Sequence, residues 1–275
     1  MRILLYSDYP AMFQALQDEA QRYSGLEVLQ AHPNTEPLTL PDFQFMILTP
    51  LAETAEAGVT HCPTDQLALW QDKIKDLIEL CSLRQAQLIL VSSDLVFLPE
   101  TNVSSELDSP NNDSPLATSL LKLEKKVAGH PDSIILRTAP SLSASPEGGL
   151  AQLVALCQTG ETPEQVNYRG LQPLDDLARV LLGILLQIAA GAKAWGLYHY
   201  AGTKPTNLGE LVKQISSYLK LETSSIESNN NNTSPTKLPS MSSQHLLDTF
   251  GVHPRAWQDK LPTLLELLNE SAKTA

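Results

Sequence analysis

Residues 89 to 97 read Ile89-Leu90-Val91-Ser92-Ser93-Asp94-Leu95-Val96-Phe97, a hydrophobic run that turns polar at Ser92. Leu88 to Val91 is a predicted β-strand, because a short continuous apolar run is typical of a parallel strand covered on both faces. The polar residues follow at its carboxyl end, which is the edge where open parallel sheets bind ligands. The stretch therefore predicts a buried strand that ends at a ligand-binding edge.

Similar segments recur on both sides of this strand. Further strands are predicted at Arg2–Ser7, Leu26–Leu29, Phe43–Leu48, Ser133–Leu136 and Gly196–Gly202. Helices, with apolar residues at helical spacing, are predicted between them at Ala11–Tyr23, Asp65–Arg84, Leu116–Val127, Leu150–Gln158 and Leu174–Ala190. Alternating strands and helices at this spacing predict an α/β fold with a doubly wound parallel sheet and right-handed crossovers.

Composition argues against several classes of partner. The chain has 19 Lys and Arg against 31 Asp and Glu, and the resulting net charge of -12 repels nucleic-acid phosphates. The longest apolar stretch, Val180 to Ala192, is too short to span a bilayer, and the N-terminus has no apolar run of signal-peptide length. The three cysteines form no disulfide framework. We expect a cytoplasmic protein that binds neither membranes nor nucleic acid.

Several motifs resemble one enzyme family. The stretch from Ile89 to Phe97 is similar to the end of the fourth strand in dTDP-4-dehydrorhamnose reductases, where a hydrophobic run precedes S-T-D-Y-V-F. Ile134-Ile135-Leu136-Arg137-Thr138 is similar to the I-L-R-T strand of that family, and the segment from Gly196 to Gly202 to its G-x-Y-H-x-x-G. The chain thus resembles the RmlD-like, sugar-nucleotide-binding members of the extended short-chain dehydrogenases/reductases.

The resemblance implies a Rossmann-like domain with a small C-terminal α/β lobe that in relatives holds the nucleotide-sugar. We assign residues 1–140 and about 166–205 to the core domain, and about 141–165 and 206–275 to the lobe. A helix is predicted at Asn207–Leu219, capped by Asn207 or Thr206. The region near 223–240 is rich in Ser, Asn, Thr and Pro, which predicts a mobile loop at Asn229–Thr233.

The turn after the first strand lacks the glycines that hold a dinucleotide. Glycines let the backbone approach the pyrophosphate closely, and the positions matching the three glycines of the family are Ser7, Pro10 and Phe13. Pro10 has no N–H, and Phe13 places a ring where the helix should pack closely on the sheet. Asp8, which precedes Tyr9 in this turn, adds a negative charge next to the phosphate site. We therefore expect no cofactor, with NAD(P) disfavoured.

The catalytic positions implied by the resemblance are also altered. The family uses a Ser or Thr, a Tyr, and a Lys four residues after the Tyr. Ser93 matches the first position, and Lys122 fits the lysine of the pattern Y-G-x-S-K-L-x-G-E, which leaves Thr118 at the tyrosine position. A threonine hydroxyl cannot replace a phenol as the acid, and no tyrosine occurs between Tyr23 and Tyr168. Ser93, Thr118 and Lys122 are therefore interpreted as vestigial positions.

A ligand pocket is still predicted at the carboxyl edge, formed by Thr49, Asp94, Arg137, Thr138 and Arg169. The six histidines show no metal-ligand spacing, so no metal is expected, and His199 is interpreted as a structural residue. Asp175 and Asp176 are interpreted as acidic residues of a first helical turn.

Three hypotheses stay open. The favoured one is a non-catalytic reductase homologue acting as a binding or regulatory module for a nucleotide-like ligand or a partner protein. The second is an active NAD(P)-dependent sugar-nucleotide reductase or epimerase with an atypical site. The third is a purely structural or oligomeric subunit with a filled pocket, and the sequence leaves a homo-oligomer open.

Overall fold

The central sheet of the computed structural model is parallel throughout. The structure describes residues 1–51, 56–57, 64–98, 103–159, 166–221 and 238–274. Within these residues the sheet has six strands: β1 (Arg2–Tyr6), β2 (Glu27–Ala31), β3 (Phe45–Leu48), β4 (Gln87–Ser93), β6 (Ser133–Thr138) and β10 (Gly196–Tyr200). Their order across the sheet is β10-β6-β4-β3-β1-β2. The predicted doubly wound α/β fold is confirmed.

Short strands and helices complete the described chain. Three pairs of two-residue strands lie outside the sheet: β5 (Val103–Ser104) with β12 (Ser240–Met241), β7 (Ser141–Leu142) with β9 (Gln172–Pro173), and β8 (Asn167–Tyr168) with β11 (Thr206–Asn207). The helices are α1 (Pro10–Ala20), α2 (Thr64–Arg84), α3 (Pro115–Val127), α4 (Gly149–Thr159), α5 (Leu174–Ala189), α6 (Leu208–Leu219), α7 (Gln244–Phe250) and α8 (Leu261–Thr274).

The sheet is covered on both faces, which explains its continuous apolar strands. On one face, strand residues such as Ile3, Ile89 and Leu136 pack with α1 and α5. On the other, Leu4 and Leu90 pack with α2 and α3. None of the helices within the described residues is long and apolar enough to cross a membrane.

A third core lies apart from the sheet. It is formed by α4, α6, α8 and the segments around Leu142 and Leu171, with Trp257 buried at its centre. The Asn207 side chain accepts a hydrogen bond from the Glu210 N–H at 2.9 Å, so Asn207 is the cap of α6. The division into domains stays a prediction. The predicted mobile loop at Asn229–Thr233 lies outside the described residues.

Candidate nucleotide-binding cleft

The turn between β1 and α1 places a tyrosine over the carboxyl edge of the sheet. Ser7 is buried, and its hydroxyl accepts a hydrogen bond from the Tyr9 N–H at 3.1 Å. Tyr9 is 3% exposed, whereas Asp8 is exposed to solvent. Pro10 is the first residue of α1, where its missing N–H removes no helical hydrogen bond.

Helix α1 packs on the sheet through Met12 and Leu16, both buried. Phe13 is only half-buried at the margin of the same core, so its ring does not fill the space between helix and sheet. The helical period explains this position, because a residue next to Met12 is rotated about 100° away from the inward face. The expected obstruction by Phe13 is therefore not what the structure shows.

The first turn of α1 presents backbone N–H groups, unpaired among the described residues, at the carboxyl edge of the sheet. Its N-cap, Tyr9, makes no side-chain capping bond, and no acidic residue occupies the first turn. Within the described chain, the N–H groups of Ala11 and Met12 have no hydrogen-bond partner, as is usual at a helix start. Backbone N–H groups in this position bind anions. These two groups fit a dinucleotide pyrophosphate, although Pro10 contributes none.

A small cavity lies beneath this turn at the ends of the central strands. Its volume is about 20 Å³, close to the size of one water molecule. It is lined by Met12, Thr49, Leu51, Val91, Ser92, Thr138, Ser141, Leu174 and Leu177. Thr49 is 2% exposed, and its hydroxyl has no partner within the described residues. The predicted pocket residues Thr49 and Thr138 thus meet at this cavity.

Sequence reasoning missed a chain of hydrogen bonds above the cavity. The Tyr9 hydroxyl donates to Ser143 Oγ at 3.2 Å, and the Ser143 hydroxyl donates to Glu56 Oε1. Glu56 Oε2 accepts the N–H of Gly149, the first residue of α4, at 2.6 Å. Burial raises the pKa of Glu56, while its bonds to Ser143 and Gly149 lower it. We call these four residues the Tyr9 closure.

Asp94 and Arg169 form a second buried group. The Ser93 hydroxyl accepts the Leu95 N–H at 3.2 Å and donates to Asp94 Oδ1 at 3.3 Å. Burial raises the pKa of Asp94 to about 6, although the Arg169 charge and the Ser93 bond oppose this shift. Arg169 donates to Ser104 Oγ at 3.0 Å and to the Leu98 carbonyl. Ser93 therefore stabilises its own turn.

Arg137 lies on the α3 face of the sheet, paired with Glu124. Arg137 Nη2 and Nε lie 2.7 and 3.0 Å from the two oxygens of Glu124, and the Ser92 hydroxyl donates to the same carboxylate at 2.6 Å. His199 is completely buried beside them, and burial together with the Arg137 charge lowers its pKa to about 3. An uncharged His199 agrees with its predicted structural role.

The structure does not bring Thr118 and Lys122 to Ser93. Both lie on the exposed face of α3, whereas Ser93 is buried. Glu124 is the buried acid of α3, and we assign it to the final glutamate of the Y-G-x-S-K-L-x-G-E pattern because it is the acid on the face that meets the sheet. Counting back from it places Leu120 at the lysine and Leu116 at the tyrosine. These leucines share one helical face with Glu124 and pack into the second core. The register that places Lys122 at the lysine position puts that residue on the solvent face of α3 instead.

The sheet order and the strand-turn-helix at its carboxyl edge define a Rossmann-like α/β protein. A family model described as the RmlD substrate binding domain matches residues 52–270. The chain therefore belongs to the RmlD-like family of extended short-chain dehydrogenases/reductases. A search of curated protein sequences gives no significant match.

Solved structures show the same fold. A dTDP-4-dehydrorhamnose reductase from Clostridium acetobutylicum is similar with a TM-score of 0.75 and 19% identity, over 98% of this chain and 100% of that one. The corresponding reductase from Bacillus anthracis, in complex with NADP, has a TM-score of 0.69 and 16% identity, over 96% and 97% of the two chains. A UDP-glucuronic acid 4-epimerase from Bacillus cereus, in complex with NAD, has a TM-score of 0.72 and 13% identity, over 98% and 99%.

These structures correct one expectation from the sequence. The absence of glycines between Ser7 and Phe13 led us to expect no cofactor, but the two relatives just described hold NADP or NAD in this fold. The expectation of no cofactor is therefore wrong. That expectation treated glycine as the source of the phosphate contacts. Phosphate contacts are made by the N–H groups at the start of a helix, and such groups are present at Ala11 and Met12 without glycine.

Proposed function

We propose that the chain binds a dinucleotide of the NAD(P) class at the carboxyl edge of its sheet but lacks the tyrosine-dependent reduction of its family. It would then act as a binding or regulatory module, on this ligand alone or together with a partner protein. The observation that carries the proposal is the face of α3, where Leu116 and Leu120 pack at the positions that the assignment of Glu124 gives to the tyrosine and the lysine.

The chemical argument rests on the proton that a carbonyl reduction needs. When NAD(P)H is bound it supplies the hydride, and a residue of the protein must supply the proton. Leucine has no proton to donate, and Lys122 lies on the exposed face of α3. Ser93 remains, but its hydroxyl is engaged by Asp94 and the Leu95 N–H. The described residues of this edge thus support ligand binding better than proton transfer.

The cleft offers both favourable and unfavourable contacts to the ligand. The Ala11 and Met12 N–H groups favour an anionic pyrophosphate. Asp8, exposed in the same turn, opposes it by charge repulsion. The Gln30 side chain donates to the Ser7 carbonyl at 3.1 Å and so ties the end of β2 to the turn.

The test is direct titration with NADP⁺ and with NAD⁺ by calorimetry. We expect saturable binding, and we expect Asp8→Asn to tighten it about threefold at low salt, the order for one surface charge. Asp42→Asn is the matched control, because Asp42 is equally exposed but precedes β3, at the opposite edge of the sheet. Absence of binding of both nucleotides at millimolar concentration would contradict the proposal.

The loss of catalysis is tested separately. NADPH absorbance is followed after adding a dTDP-4-dehydro sugar to the protein saturated with cofactor. We expect no oxidation above the rate without protein. Sugar-dependent turnover would establish the alternative of an active reductase with an atypical site and refute the non-catalytic part of the proposal.

A further inference from the structure

The Tyr9 closure joins three segments that are distant in sequence. Tyr9 belongs to the turn that follows β1 and Glu56 to a segment after β3, while Ser143 follows β7 and Gly149 begins α4. Ser143 is its central member, because its hydroxyl accepts from Tyr9 and donates to Glu56. All three side chains are buried: Tyr9 and Ser143 are each 3% exposed, as is Glu56.

The backbone around Glu56 is also held in place. The Ala57 N–H donates to the Ser141 carbonyl at 2.9 Å, and Glu56 forms a parallel bridge with Ser141. The glycines at the start of α4 permit this approach. A Cβ at Gly149 would lie 2.1 Å from the Ala57 carbonyl oxygen, and one at Gly148 would lie 2.4 Å from Glu56 Oε2. The sequence is thus adapted to a close fit of residues 56–57 on the α4 turn.

The position of these contacts matters for ligand entry. Tyr9 lies in the turn where the proposed pyrophosphate would bind, and its hydroxyl reaches Ser143, two residues after the cavity-lining Ser141. Its side chain therefore crosses the carboxyl edge. The adjoining cavity, which Met12 and Ser141 help to line, measures about 20 Å³ and has room for about one water molecule. The bond between Tyr9 and Ser143 thus lies across the edge along which a dinucleotide of the proposed kind would extend.

We infer that the Tyr9 closure is an autoinhibitory contact, which must open before a dinucleotide enters the cleft. This inference rests on the proposed function. A closed state reduces apparent affinity by the fraction of molecules that are open, so that weakening the closed state tightens binding without any new ligand contact. Opening breaks the hydrogen bonds from Tyr9 to Ser143 and from Ser143 to Glu56.

Ser143→Ala and Tyr9→Phe are the test variants, since each removes a hydroxyl and keeps the remaining side chain. Binding of NADP⁺ and NAD⁺ is measured by calorimetry, and exchange of the Ala57 amide hydrogen by mass spectrometry without ligand. We expect Ser143→Ala, which removes both bonds, to bind about tenfold tighter, and Tyr9→Phe about threefold. The Ala57 amide should exchange faster in both variants.

Tyr218→Phe is the matched control. The Tyr218 hydroxyl donates to Glu266 at 3.2 Å, the same length as the Tyr9 to Ser143 bond, but at the exposed margin of the third core and away from the cleft. Its removal should change neither nucleotide affinity nor Ala57 exchange. In the wild-type protein, saturating NADP⁺ should accelerate Ala57 exchange, the opposite of the protection that a ligand usually gives.

The outcomes separate this inference from the proposed function. Equal affinities in wild type and both variants would overturn the closure and leave nucleotide binding intact. Unchanged Ala57 exchange in Ser143→Ala would likewise overturn it. If Ala57 exchange rises in the variants but none of the proteins binds either nucleotide, the contacts are real but the proposed function, and with it a gate for dinucleotides, is refuted.

Discussion

Replacing Glu124 by glutamine removes one charge from a buried ion pair and keeps the shape of the side chain. The Glu124 side chain is 7% exposed and its partner Arg137 is 5% exposed, and they face each other through two hydrogen bonds. Glutamine can still accept from Arg137 Nε or Ser92, but it leaves the guanidinium charge uncompensated. Breaking a buried pair from one side costs about 3–5 kcal/mol.

The surroundings of Arg137 place the expected loss within this range. Its Nη1 already lacks a partner among the described residues, and its guanidinium lies 5.4 Å from the centre of the Phe97 ring. The ring face offers only weak compensation, about 0.5–2 kcal/mol. Against a typical unfolding free energy of about 5–15 kcal/mol, the substitution removes a large part of the stability.

Equilibrium urea unfolding, followed by circular dichroism, measures the effect. The control is Glu27→Gln, because Glu27 pairs with Arg2 at 2.8 Å but both side chains are about half exposed. That pair should contribute less than about 1 kcal/mol. The double variant Glu124→Leu with Arg137→Met should recover much of the loss, since it removes both charges. If Glu124→Gln costs no more than Glu27→Gln, the buried ion pair and the α3 register based on it are refuted.

Three further perturbations follow from the same geometry. Gly149→Ala should lower stability by about 1–3 kcal/mol in urea unfolding, because the new methyl group meets the Ala57 carbonyl. Its control is Gly183→Ala in α5, which has open space around it and should raise stability by about 0.5–1 kcal/mol. His199 has a folded pKa of about 3 against an ordinary value of 6.5, so the stability that it contributes is lost as pH falls below about 6.5. Between pH 7 and pH 5 the wild type should therefore lose about 2 kcal/mol of stability relative to His199→Leu, because about 1.5 pH units count at about 1.4 kcal/mol each. Asp94 shows the opposite pH dependence, because its pKa is raised to about 6 and the stability that it contributes at low pH is lost as pH rises. From pH 5 to pH 7 the wild type should therefore lose about 1–2 kcal/mol of stability relative to Asp94→Asn. Equal pH profiles of the variants and the wild type would show that these groups are accessible to water.

The fold could be predicted because its information is local. Strands β3 and β4 are buried on both faces, so their sequences are continuous apolar runs that stand out between polar loops. Amphipathic α3 and α5 show helical spacing for the same reason. The strand ends at Ser93 and Thr138 then followed from the parallel arrangement, which brings all carboxyl ends to one edge.

The candidate site could be predicted only in part, because its contacts are long-range. Tyr9 and Ser143 are 134 residues apart, and Glu56 and Ser143 are 87 residues apart. Neither the serine-rich loop around Ser143 nor the isolated Glu56 has a sequence pattern that predicts such a contact. The glycine pair at residues 148 and 149 was the available signal, since two adjacent glycines at a helix start indicate a close approach of another segment.

Helix α3 shows what the structure adds to motif matching. Lys122 fits the spacing of a lysine motif as a string of letters, but it lies on the solvent face of the helix. Buried Glu124 fixes which face meets the sheet, and Leu120 and Leu116 follow at intervals of four residues. Leucines at both the tyrosine and the lysine positions fit this face, because they add apolar contact to the core of the sheet and α3. The ion pair of Glu124 and Arg137 still fixes the orientation of the helix on that core. Within the described chain, the ion pair of Glu124 and Arg137 and the free N–H groups at the start of α1 are present, whereas the proton donor is not. The residues that shape the cleft and would bind a ligand are therefore separable from those that donate a proton. This separation leads us to expect nucleotide binding without turnover.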